Sequence, residues 1–159
     1  MSLDDWVLAL HVLSAFAMAG SIVLFWIVIV AMRSVDTVRD TLAYAPLASL
    51  GSTVIGIGVL GTLVFGVWLA ISRDEYQLWD GWIIAALVLW AIGTSLGARG
   101  GKEFTKALTR ARELDETGSA GAPGELRALN RSPAGLLLHT VSSLATVAIL
   151  VLMIWKPGA

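Results

Sequence analysis

Residues 47–71 read LASLGSTVIGIGVLGTLVFGVWLAI, a stretch of twenty-five positions without an Asp, Glu, Lys or Arg. As an α-helix it would rise about 37 Å, enough to cross a hydrocarbon core of roughly 30 Å. Within it Gly58, Thr62 and Gly66 recur every four residues, and Gly51 falls on nearly the same face. Helices in lipid gain little from burying apolar surface, so they associate through small residues that let their backbones approach. Gly51, Gly58, Thr62 and Gly66 are therefore expected to form a packing seam. That seam would lie inside one subunit, between two subunits, or along a channel where glycine leaves room for a cofactor ring.

Working outward, three further runs have the same character, at about 6–32, 82–98 and 134–155. None of the twelve acidic and eleven basic residues lies inside the four runs. The chain of 159 residues is 57% hydrophobic and 14% charged, against about 25% charged in a soluble domain. The reading is an all-α polytopic membrane protein, a single domain over residues 1–159 built as an up-down-up-down bundle of four transmembrane helices. The segment before the first run carries Asp4 and Asp5 and no basic residue, unlike the basic start of a signal peptide. The first helix is therefore expected to be retained.

Nine of the eleven Lys and Arg residues lie in the first and third connections, from Arg33 and Arg39 to Arg99, Lys102, Lys106, Arg110, Arg112, Arg127 and Arg131. Only Arg73 and Lys156 fall on the other side. Basic residues concentrate in cytoplasmic loops, so both termini are placed outside a bacterial cytoplasmic membrane. Trp6, Trp68, Trp79, Trp82 and Trp155 then fall near the outer interface, with Trp26 and Trp90 deeper.

The basic connection at about 99–133 is the sizeable polar part. Phe104, Leu108 and Ala111 recur at helical spacing with Leu114 close by. Residues 103–114 thus extend the third helix into solvent or, as the alternative, lie on anionic headgroups. Residues 118–124 read GSAGAPG, a flexible linker by composition. Ser132-Pro133 reads as the cap and first residue of the last helix.

Candidates for chemistry are few. Cysteine is absent, which excludes disulfides, thiolate metal sites and cysteine nucleophiles. The apolar runs hold no carboxylate pair and no H-E-x-x-H motif. A net charge of −1 gives no reason to expect a nucleic-acid partner. Two ionisable residues remain inside the spans, His11 and His139, and such residues are functional candidates by default. Each begins a Leu-His-x-x-Ser pattern, but the two helices run in opposite directions and a repeat is not inferred. A neutral imidazole at either position could ligate haem iron or another metal, or simply bond a neighbouring helix. By rise per residue each sits roughly 8 Å inside its own boundary, which leaves about 14 Å between them along the membrane normal. The two are not expected to share one iron.

The opening Leu10-His11-Val12-Leu13-Ser14-Ala15 followed by Ala19-Gly20, and the ending Met153-Ile154-Trp155-Lys156-Pro157-Gly158, resemble an uncharacterised bacterial family of small predicted integral membrane proteins, the domain of unknown function 2269. Chain size, four spans and the long basic connection match as well. The first-helix pattern also resembles the copper-resistance membrane family and the four-helix haem-containing protoporphyrinogen oxidase family. There the first-helix histidine implies a haem or metal role, which maps here to His11 alone. The chain has no Arg-rich patch near His11 and no second histidine pair. The function read from all this is a binding or accessory protein of unknown activity in the lipid bilayer, rather than an enzyme, alone or within a homo-oligomer or larger membrane complex. One alternative is a haem b protein ligated through His11, linked to respiration or haem handling. A second is a small-solute or metal permease working as an oligomer.

Overall fold

The computed structural model describes residues 2–73, 77–119, 121–122 and 124–157. Six helices run in chain order: α1 (Leu3–Met32), α2 (Val38–Ala43), α3 (Ala45–Ser72), α4 (Gly81–Thr117), α5 (Glu125–Asn130) and α6 (Pro133–Trp155). Four of them, α1, α3, α4 and α6, are long and apolar enough to cross a membrane. The protein is therefore an all-helical bundle of four membrane-length helices. Most of their large apolar side chains point outward. On α1 alone, Leu13, Phe16, Val23, Ile27 and Val30 are each more than half exposed, as lipid-facing residues are.

Local chemistry sets the helix ends. α1 starts three residues before its apolar run because Ser2 and Asp5 cap it reciprocally. The Ser2 hydroxyl accepts from the Asp5 amide at 3.2 Å, and the Asp5 carboxylate accepts from the Ser2 amide at 2.8 Å. The Ser2-to-Asp5 spacing that makes this cap is present in the sequence. α6 starts as expected, with Ser132 accepting from the Gly135 amide at 3.2 Å and Pro133 in the first turn. α4 continues well beyond residue 98, to Thr117. Its 37 residues span about 55 Å, so about 25 Å of its length exceeds a hydrocarbon core of roughly 30 Å. Gly118 stops it in the left-handed region at φ 63, where the Ser119 amide donates to the Leu114 carbonyl at 3.0 Å. Ala120 and Pro123 of the linker lie outside the described residues.

The helices associate as two antiparallel pairs, α1 with α3 and α4 with α6. At one end, here the capped end, the pairs are locked together. Val28 and Met32 of α1, Ala48 of α3, and Ala107 and Leu108 of α4 form one buried cluster. Ala111 and Leu114 of α4 form another with Leu126 of α5. The apolar face around residues 103–114 is thus covered from within the molecule, by α1 and α3 at Ala107 and Leu108 and by α2 and α5 at Ala111 and Leu114. Polar cross-links reinforce it. The Asn130 amide donates to the Val35 carbonyl at 3.1 Å and to the fully buried Thr41 hydroxyl at 3.0 Å. Arg33 and Arg131 donate to each other's main-chain carbonyls at 3.3 and 2.7 Å. Arg110 donates to Glu125 at 2.6 Å.

Candidate functional site

The α1/α3 seam is built on small residues. A Cβ at Gly58 would stand 2.7 Å from the Met18 amide nitrogen and 2.9 Å from the Ser14 carbonyl oxygen. The two backbones touch there, and only glycine fits without displacement. Thr62 is buried on the same face, and its hydroxyl is satisfied within its own helix by the Val59 carbonyl at 3.0 Å. A Cβ at Gly51 would meet Phe25 at 3.2 Å. At Gly66 the neighbour is the His11 imidazole, 2.9 Å from such a Cβ at its Cε1.

The α4/α6 seam has the same construction and was not read from the sequence. Ala145 would lie 3.2 Å from a Cβ at Gly93, and the Ser142 hydroxyl donates to the Gly93 carbonyl at 2.9 Å. Gly93 and Gly97 are four apart, the same signal that marked Gly58 and Gly66.

The two pairs touch midway, where Trp26 donates from its indole Nε1 to Ser143 at 3.0 Å. His139 packs at this junction, with its ring 5.0 Å from Trp26 and 6.3 Å from Phe25, both edge-on. Its Nε2 is buried without a hydrogen-bond partner. His11 belongs to the other half of the bundle. It sits fifteen residues before Trp26 on the same helix, or about 22 Å. An ion bound at about 2 Å from one imidazole therefore cannot reach the other. Among the described residues no three His, Asp or Glu side chains converge as a metal ion would need.

Beyond that junction, at the end carrying both termini, the pairs separate and leave a half-enclosed cavity of about 310 Å³. All four long helices line it. Val12, Ala15 and Met18 come from α1, Leu63 and Val67 from α3, Ala86 and Trp90 from α4, and Ile149, Leu150 and Met153 from α6. His11 and Thr62 are set in this otherwise apolar wall, and Arg73, Trp82 and Lys156 also line it. The His11 ring is half-buried against Gly66, its Nδ1 buried without a partner. A sequence marks residues, not the distance between two helix pairs, so the cavity could not be read beforehand.

Helical pairs with glycine seams and a lipid-facing exterior define the class: a polytopic α-helical integral membrane protein. Residues 5–157 match the model of the family described as predicted integral membrane protein, domain of unknown function 2269, and the chain belongs to that family. No curated protein and no solved structure matches it.

Proposed function

We propose that the protein is a binding or accessory protein of the bacterial cytoplasmic membrane that takes an apolar ligand between its two helix pairs. The observation that carries this reading is the cavity. Its volume lies at the lower end of the roughly 300–1,000 Å³ common for ligand sites, and its wall is mostly apolar with a few polar groups, as such sites are. His11 is then a wall residue that shapes the site. His139 is a packing residue at the junction of the pairs.

The orientation proposed with it puts both termini and the cavity mouth outside. Nine of eleven Lys and Arg residues belong to the connections at the capped end, which supports a cytoplasmic cap. A cysteine at exposed Ser119 is expected to react with a thiol reagent only after cells are opened; labelling from outside intact cells overturns the orientation.

Binding is tested by native mass spectrometry of protein released from mild detergent. The wild-type chain is expected to carry an apolar adduct that Ala15→Phe, which fills the cavity from α1, removes. A bare wild-type chain overturns the reading, and a Soret band in the purified protein would replace it with haem.

A further inference from the structure

We propose that the cavity holds a neutral lipid with one hydroxyl, the hydroxyl lying between His11 and Trp90 and the hydrocarbon filling the rest of the space. This rests on the reading of the cavity as a binding site and names what it binds. The two residues belong to different helix pairs, His11 to α1 and Trp90 to α4, and both line the cavity. α1 and α4 both start at the open end, at Leu3 and Gly81. His11 and Trp90 therefore lie about 12 and 14 Å along their helices from that end, at similar depth on the two sides of the gap. Their ring nitrogens are left without a bond: Nδ1 of His11 and Nε1 of Trp90 are both buried and unpartnered. Both are closed off from solvent, so water does not stand in for the missing partner. The Thr62 hydroxyl, also in the wall, is already satisfied by the Val59 carbonyl.

Buried polar groups in native proteins are almost always paired, and an unmade hydrogen bond inside is costly. Ser21, Asn130 and His139 also hold unpartnered atoms, but none of them borders the cavity. His11 and Trp90 do border a space that a ligand fits. An indole N–H only donates, so its partner has to be an acceptor, whereas a neutral imidazole carries one donor and one acceptor. A hydroxyl accepts from the indole and serves the imidazole in either tautomer. A plain hydrocarbon meets neither group, and a carboxylate would bring a charge to membrane depth, which is costly. The imidazole is placed to turn toward such a hydroxyl. Its Cε1 and Nδ1 rest against Gly66, 2.9 and 3.2 Å from a Cβ built there, and glycine has no side chain to hold the ring.

The experiment compares 11-bromoundecanol with 1-bromoundecane as quenchers of tryptophan fluorescence in the full-length protein in detergent. The Ala15→Phe chain, its cavity filled, supplies the signal of lipid-facing tryptophans to subtract. The alcohol is expected to act at about tenfold lower concentration, the factor that two neutral hydrogen bonds supply. In His11→Leu and in Trp90→Phe that preference is expected to shrink while quenching by the bromoalkane persists, which shows that the variants still fold and bind. With nitrogen-labelled tryptophan, the indole proton resonance that Trp90→Phe removes is expected to move downfield when undecanol is added and to stay in place with undecane. Equal quenching by both probes, or an indole resonance that undecanol does not move, overturns the hydroxyl and leaves the cavity reading standing. Failure of both probes, or quenching that Ala15→Phe does not reduce, overturns the cavity reading itself.

Discussion

At the capped end, α2 and α5 cover the projecting end of α4, hydroxyl, amide and guanidinium groups bridge the two helix pairs, and Thr41, Ala107 and Ala111 are almost wholly inaccessible. At the open end the same four long helices diverge around a cavity. The difference follows the solvent. Beyond the hydrocarbon core, water drives apolar faces together, so even six-residue helices such as α2 and α5 dock. Within lipid that drive is absent, and helices close only where backbones can approach. They do so at Gly58 and Gly93 but not between the pairs, where Leu63, Leu87 and Leu150 face the gap.

The largest expected effect is at the backbone contact. Gly58→Leu has no flexible neighbour to move and should cost about 3 kcal/mol or more, read as unfolding at lower SDS concentration. Gly66→Leu should cost clearly less, because the His11 ring can swing toward the cavity. Equal costs would mean that the seam is as tight at the open end as in its middle.

The next effect lies in the cap. Asn130→Ala leaves the Val35 carbonyl and the Thr41 hydroxyl without their donor, worth about 1–3 kcal/mol. Unchanged thermal unfolding in detergent would show that the pairs are held by their membrane portions alone.

A smaller effect of opposite sign is expected at the rim. Lys156→Gly relieves the left-handed conformation and should raise stability by about 1 kcal/mol. A loss of stability would show that the lysine's conformation is not strained.

The smallest effect is a pH dependence of the cap. Arg110, with the Ala122 amide behind it, holds the Glu125 carboxylate below its ordinary value of 4.5. A carboxylate depressed in the folded state contributes stability above its unfolded value and loses that contribution as pH falls through the folded one. The melting temperature should therefore drop slightly on acidification below about pH 4.5, and Arg110→Gln should flatten that drop. An identical acid profile in the variant would assign the drop to other carboxylates.

The four spans were legible in the sequence because lipid imposes a long uncharged run, and Gly58, Thr62 and Gly66 marked a small-residue face at a readable spacing without saying which helix it meets. The continuation of α4 was legible as well, from Phe104, Leu108 and Ala111. The partners of that face were not, since α2 and α5 are six residues each and owe their order to what they dock on. His11 and His139 stood out as ionisable groups in apolar runs, but their neighbours Gly66 and Trp26 come from packing between helices.

The hydrogen bonds of Asn130 reach 95 and 89 residues back along the chain, whereas each helix pair is made of neighbouring long segments. In a chain emerging from the ribosome, α1 and α3 are both complete before α4 begins, and contacts between neighbours close fastest. The first hairpin can thus form at once, while the clasp at Asn130 has to wait for most of the protein to be made. Assembly order is in this way written into the connectivity, with the joint between the two halves closing last.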